Sequence, residues 1–291
     1  MESATSVYRT QYQYSVLLSL LSLALSLTHS LIAHSLASIA QVMVSTSWFA
    51  ACYWSDGKDC YDSVPDSLAV QINGNDHYLH NVIVFDFAKK GVEVNGAANV
   101  LSGVHTWNGG GVGIEVNAQQ TRLLGCYLDY NYLSVKGDGG TGLLVVDSFF
   151  LDTNVKIEAA TLDGAIFKRN TFAGLDGKES IELDGADYSA AKNVVVEDNL
   201  GEVTRYTKQT ITKELDFGKG DTIVDFSDSL LLPSITHVHY SVLCNEDDEV
   251  GTSCQNTWAN KPNGNKIAFS REPSDAEDKT KVTVTVSVTQ S

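Results

Sequence analysis

Two glutamates, Glu93 and Glu115, lie 22 residues apart, each between apolar neighbours in a short alternating run, Val92-Glu93-Val94 and Ile114-Glu115-Val116. His105, Trp107, Tyr127 and Asp129 repeat the same interval, since His105 and Tyr127 are 22 apart, as are Trp107 and Asp129. Carboxylates brought close together repel, which raises the pKa of at least one and keeps it protonated as a general acid near neutrality. A separation of about 5 Å suits a retaining glycosidase, whereas an inverting enzyme needs about 6.5–9.5 Å to admit water. Glu93, Glu115 and Asp129 are therefore the candidate catalytic carboxylates, with Asp86, Asp147 and Asp152 as weaker candidates. On the opposing reading, Lys89, Lys90 or Arg122 neutralises the glutamate pair. His105, Trp107 and Tyr127 are the candidate carbohydrate-binding residues, because a pyranose lays its CH face on an aromatic ring while a nearby carboxylate takes its hydroxyls. The competing reading is that the N-terminal segment or a C-terminal module covers these rings, since large apolar patches rarely stay bare on a monomer.

The elements that position these residues follow from the interval itself. Residues 66–153 divide into four turns of 22, in which Leu79, Leu101, Leu123 and Val145 share one phase, Asn73, Asn95 and Asn117 another, and Val82, Val104, Cys126 and Ser148 a third. Within each turn apolar residues alternate with polar ones, which marks strands, and no stretch repeats at the helical period. A repeat of this length made of strands and tight turns predicts a parallel β-helix, each coil burying its apolar face on the next. Coils then stack about 4.8 Å apart and equivalent residues become neighbours. The asparagines are expected to occupy sharp, left-handed corners and to form a ladder of amides. Val82, Val84, Val104, Thr106, Cys126, Leu128, Ser148 and Phe150 should face inward, leaving Ile83, Phe85, His105, Trp107, Tyr127, Asp129, Phe149 and Leu151 outward. Looser coils continue beyond 153, giving an expected total of six or seven.

Net charge is −16, which excludes an electrostatic nucleic-acid binder and disfavours unaided binding of a polyanion. A neutral polysaccharide, or an acidic one bridged by calcium, fits the balance better. No Asp, Glu, Lys or Arg occurs between Thr10 and Ser55, and the Leu/Ser run of 16–27 has signal-peptide length. Residues 1–50 are expected to be a secretory signal, a membrane anchor, or an apolar cap on the first coil. Cys52 with Cys60, and Cys244 with Cys254, suit local disulfides in an oxidising compartment, while Cys126 falls on an interior position. No zinc spacing, GxSxG, phosphate-binding glycine pattern or HExxH occurs, and no cofactor is expected. Asp247, Asp248 and Glu249 either hold calcium or form a solvated charge run.

The coils occupy 51–204, after which TRYTKQTITKEL reads as a linker. Strand candidates at 221–226, 237–243, 266–270 and 281–288 make 205–291 a small antiparallel β module on the side or end of the β-helix. In the last of these Val282, Val284, Val286 and Val288 alternate with polar residues, so one face is buried and one solvated.

The strings GVEVNGAANVLSGVHTWN, GVGIEVN, TRLLGCYLDYN, DSFFL and VDFSDSLLLPSITHVHYSV resemble the C-terminal part of the plant and algal quartet-type polygalacturonase-like proteins of the pectate-lyase-like superfamily. The resemblance covers about residues 66–291. It implies a right-handed parallel β-helix and a secreted or cell-wall protein acting on pectin-like polysaccharide as a glycoside hydrolase. The paired aspartates, Gly-His-Gly and Arg-Ile-Lys strings of pectin hydrolases are absent, so no catalytic residue carries over by position. A non-catalytic carbohydrate-binding or structural wall protein, and a truncated inactive remnant, are the alternatives.

Overall fold

The computed structural model describes residues 43–50, 66–107, 111–184, 188–203, 205–216, 221–244, 257–271 and 281–290, all within one compact unit, 43–291. Its first part is a parallel β-solenoid. One face is a six-stranded sheet formed by Leu68–Ile72, Lys90–Val94, Val112–Val116, Tyr132–Val135, Val155–Ile157 and Ile181–Leu183. About five turns separate its first strand from its last. Two further faces merge into one 12-stranded sheet because the strand Tyr78–Phe85 runs through both. The second face continues through Val100–Ser102, Arg122–Leu124, Leu144–Val146, Ile166–Lys168 and Val195–Glu197. The third continues through His105–Trp107, Tyr127–Asp129, Phe149–Leu151, Thr171–Ala173 and Leu200–Gly201.

The 22-residue interval is the register of the second and third faces from Tyr78–Phe85 as far as Ile166–Lys168 and Thr171–Ala173. On the six-stranded face Tyr132–Val135 follows a shorter turn, and the later turns are longer. Leu79 pairs with Leu101, Leu101 with Leu123, and Leu123 with Val145, all buried in one column. Each fully buried Leu or Val in such a column contributes roughly 1.5–3 kcal/mol relative to exposure. All eight residues expected to point inward are buried. The corners also repeat. Asp76, Ala98, Gln120, Gly142, Gly164 and Asn193 hold positive φ at one bend, and Asn81, Gly103, Gly125, Asp147, Arg169 and Asp198 at the next. Left-handed backbone costs about 1–2 kcal/mol for residues such as Ala98 and Gln120, so stacking must impose it. Gly103 relieves that strain, and a Cβ there would lie 2.6 Å from Asn81 Oδ1.

The asparagine ladder forms, although not at a left-handed corner. Asn95 Nδ2 donates to Asn73 Oδ1 at 3.0 Å, and Asn117 Nδ2 to Asn95 Oδ1 at 2.9 Å. None of the three has positive φ; that conformation falls three residues later, at Asp76, Ala98 and Gln120. A second, interior ladder takes over where the column of Val82 and Val104 turns polar. The Cys126 N–H donates to Ser148 Oγ, the Ser148 N–H to Asn170 Oδ1, and the Asn170 N–H to Asn199 Oδ1. Cys126 is a free, buried thiol whose pKa burial pushes up to about 11.

Two elements depart from the sequence reading. Met43–Ala50, placed by the sequence in the N-terminal apolar segment, is a strand paired parallel to Tyr78–Phe85 and extends the large sheet by one rung. Lys208–Asp216, expected as linker, is a strand paired antiparallel with Lys281–Thr289. Its partner lies far along the chain, so nothing local distinguished it from a linker.

The antiparallel module is two three-stranded sheets. Lys208–Asp216, Lys281–Thr289 and His237–Cys244 form one; Thr222–Asp225, Lys266–Arg271 and Thr257–Ala259 form the other. They enclose Leu215, Val224, Phe226, Ile267, Phe269 and the four alternating valines of the last strand. The module joins the end of the solenoid. Leu231 and Leu232 enter the solenoid core, the Val196 N–H on the last rung donates to Thr207 Oγ1 at 2.8 Å, and the Leu232 N–H donates to Gln290 Oε1 at 2.8 Å. Among the described residues no helix is long and apolar enough to cross a membrane. Residues 1–42, the side chains of Cys52, Cys60, Cys244 and Cys254, and the acidic loop Asp247, Asp248 and Glu249 lie outside the described residues.

Candidate functional site

The third face carries a ladder of rings on its outer side. Inward Val84, Thr106, Leu128 and Phe150 are buried, and the alternation of a β-strand turns their neighbours out. Register then stacks Ile83 on His105, His105 on Tyr127, and Tyr127 on Phe149, while Phe85 lies beside Trp107. His105 and Tyr127 stack with centroids 4.4 Å apart and planes 11° from parallel. Tyr127 meets Phe149 edge-on at 5.2 Å, and Phe85 stacks on Trp107 at 6.2 Å. Trp48, from the added rung, meets Phe85 edge-on at 6.4 Å. These geometries are the favoured ones for aromatic pairs. Trp48 is 73% exposed, Trp107 40% and Phe149 36%, so much of the ladder faces solvent.

Two polar groups sit within the ladder without partners. His105 Nε2 and Asp129 Oδ1 are shielded from solvent and make no hydrogen bond. Leaving such atoms unmet costs about 1–3 kcal/mol each, and a native orphan of this kind points to a function or to a water or ligand. Burial pushes the His105 imidazole below its ordinary pKa, with the Asp129 carboxylate pulling the other way. Burial pushes the Tyr127 phenol up, and Asp129 and Tyr130 add to the shift. The structure therefore brings His105, Trp107, Tyr127 and Asp129 together on one face.

Glu93 and Glu115 stand elsewhere, paired across rungs on the six-stranded face. The expectation of a raised pKa is overturned. Lys90 Nζ lies between them, bonding Glu93 Oε1 and, at 2.5 Å, Glu115 Oε1. Hydrogen bonding by Lys90, opposed by burial and reinforced by Gln71 and Asn95, holds the Glu93 carboxyl below its ordinary value. Burial pushes Glu115 up, but Lys90, Asn117 and Lys136 outweigh it and the net shift is downward. Lys136 reaches Glu115 Oε2 at 3.4 Å and Glu158 Oε2 at 3.2 Å, which extends the network over the next rungs. Two ionised, hydrogen-bonded carboxylates cannot supply the proton of a general acid. Of the three suggested neutralising cations only Lys90 takes this part; Lys89 pairs with Asp66.

The sequence reading missed Trp48 and Lys136. Trp48 could have been found from the apolar triplet Trp48-Phe49-Ala50, which pairs with Ile83-Val84-Phe85. The connection between these strands is longer than the 22-residue period, so a search at that period passes over it. Lys136 stands one rung beyond Asn117 but only 19 residues after it, because the register shifts between Tyr132 and Leu133, so the 22-residue phase points to Gly139 instead; its reach to Glu115 is a cross-rung contact. Among the described residues no three His, Cys, Asp or Glu side chains group as a metal site.

The fold class is a parallel β-solenoid with terminal antiparallel sheets. Compared with protein-family models and with the curated proteins, the sequence matches none. Among solved structures, the chain is similar to the tailspike protein gp49 of Pseudomonas phage LKA1, with TM-score 0.33 and 9% identity over 85% of this chain and 61% of that one. It is also similar to the tailspike gp61 of Pseudomonas phage phi297, with TM-score 0.28 and 9% identity over 79% of this chain and 61% of that one. The chain thus spans about 61% of the length of either tailspike.

Proposed function

We propose that the protein is a secreted, polysaccharide-binding β-solenoid that holds glycan on the aromatic ladder of its third face. The observation that carries this reading is the ladder itself, with exposed Trp48, Trp107 and Phe149 around the half-buried His105, Tyr127 and Asp129. His105 and Tyr127 turn their faces to each other, so the exposed Trp48 and Trp107 rings offer the surface for the CH faces of a sugar chain, with a carboxylate and an imidazole beside them for its hydroxyls. Secretion to the extracellular space or cell wall is supported by the uncharged Leu/Ser run near the N-terminus.

Hydrolysis, of the polygalacturonase type implied by the sequence resemblance, is the competing reading. Asp129 favours it as a carboxylate on the ladder, but Glu93 and Glu115 are on another face and bound by Lys90. A two-carboxylate mechanism requires its acids to flank one bond, and those two glutamates do not flank the ladder. Pull-down on insoluble polysaccharides, run beside a reducing-sugar assay, tests both. Retention lost on Trp107→Ala with no sugar release supports binding alone; turnover abolished by Asp129→Asn supports hydrolysis; no retention on any glycan overturns the platform.

A further inference from the structure

We infer that the ladder selects neutral, unbranched glycan chains and rejects uronate polymers, with Asp129 serving both as hydroxyl acceptor and as charge filter. This rests on the platform reading above and adds the class of ligand. The outward columns of the third face hold no lysine or arginine from residue 83 to residue 173. Arg169, at the corner leading onto this face, is engaged by Asp147 through two hydrogen bonds of 2.8 Å. Lys90 and Lys136 are committed to glutamates on the six-stranded face.

The charge that does reach the ladder is the carboxylate of Asp129, one rung beyond Trp107. Its side chain is half-exposed, and its Oδ1, unbonded but shielded from solvent, becomes available to a donor when the flanking side chains shift aside. A sugar hydroxyl supplies one. A uronate supplies a second carboxylate, and like charges juxtaposed at an interface cost several kcal/mol. His105 does not offset this near neutrality, because its burial favours the uncharged imidazole. The shape argues for a linear chain. The rings run along the solenoid axis in two adjacent columns, Trp48, His105, Tyr127 and Phe149 in one and Phe85 and Trp107 in the other, with a rung spacing of about 4.8 Å, comparable to one sugar residue in an extended polymer. The net charge of −16 opposes a polyanion at longer range as well.

The test is calorimetric titration of the full chain in EDTA with cello-, xylo- and manno-oligosaccharides of increasing length and with size-matched oligogalacturonides. At least one neutral series should bind, tightening with length until the ladder is covered, and the oligogalacturonides should be at least ~10-fold weaker. Asp129→Asn should weaken neutral binding and narrow the gap by admitting the uronate. Oligogalacturonide binding as tight as the best neutral series, or a gap unchanged in Asp129→Asn, overturns the selectivity while leaving the platform standing if Trp107→Ala still weakens binding. Failure of every oligosaccharide to bind overturns both.

Discussion

The imidazole of His105 lies 4.4 Å from the ring of Tyr127, 11° from parallel, with its Nε2 unbonded. Burial disfavours its protonation, so its pKa in the folded chain is below that in the unfolded chain. The unfolded state then binds more protons between the two values, and stability rises with pH across that window. Stability should therefore fall as pH drops from about 6.5 toward the lower folded value, and level off below it. Urea unfolding at stepped pH reads this out, and His105→Phe should remove that part of the acid sensitivity. An unchanged slope in the variant would show that His105 does not carry it.

Truncating the ladder should cost affinity without unfolding the protein. Aromatic anchors at interfaces typically account for more than ~1 kcal/mol each, roughly fivefold or more in Kd. Trp107→Ala and Tyr127→Ala are each expected to weaken glycan binding by about that factor, with the melting temperature lowered more by the half-buried Tyr127 than by the exposed Trp107.

Lys90 is the keystone of the glutamate network. Its Glu115 partner has a side chain 5% exposed, so removing the cation leaves a shielded carboxylate uncompensated. Lys90→Met should destabilise the fold by about 3 kcal/mol, while Lys136→Met, at a side chain 41% exposed, should cost ~1 kcal/mol or less. Chemical denaturation of the two variants distinguishes them. Because both glutamate pKa values are lowered, their contribution is present above the unfolded carboxylate range and is lost as pH falls through the folded values.

The two asparagine ladders should respond unequally. Asn95→Ala breaks one hydrogen bond given to Asn73, one received from Asn117 and one given to Glu93, all near the surface, and should cost about 1–2 kcal/mol. Asn170→Ala strips partners from the buried Ser148 N–H and Val145 carbonyl, and should cost about 3 kcal/mol or more. Thermal unfolding of both variants tests the order.

The solenoid was legible because its signal is one-dimensional. Leu79, Leu101 and Leu123 announce the stacking at a fixed interval, and alternation at Val82, Val84, Thr106 and Leu128 fixes which side of each strand faces in. The outward ladder followed from the same parity. What failed depended on distance in the chain or on side-chain reach. The strand 208–216 finds its partner at 281–289, and no local pattern announces that pairing. The glutamate pair was placed correctly across adjacent rungs, yet its chemistry was misjudged, because a lysine three residues before Glu93 curls back between both acids. Register predicts which backbones are adjacent; it does not predict which ammonium group fills the space between two carboxylates.

A stack of equivalent turns has no inherent length, and a bare final turn would serve as a template for any other chain offering the same edge. Leu231 and Leu232 plug the apolar channel at that point, and Thr207 takes up the hydrogen-bonding groups of Val196. The terminal sheets thus act as a chain stopper. They hinder end-to-end growth at the second face, where the edge of Val196 is already taken.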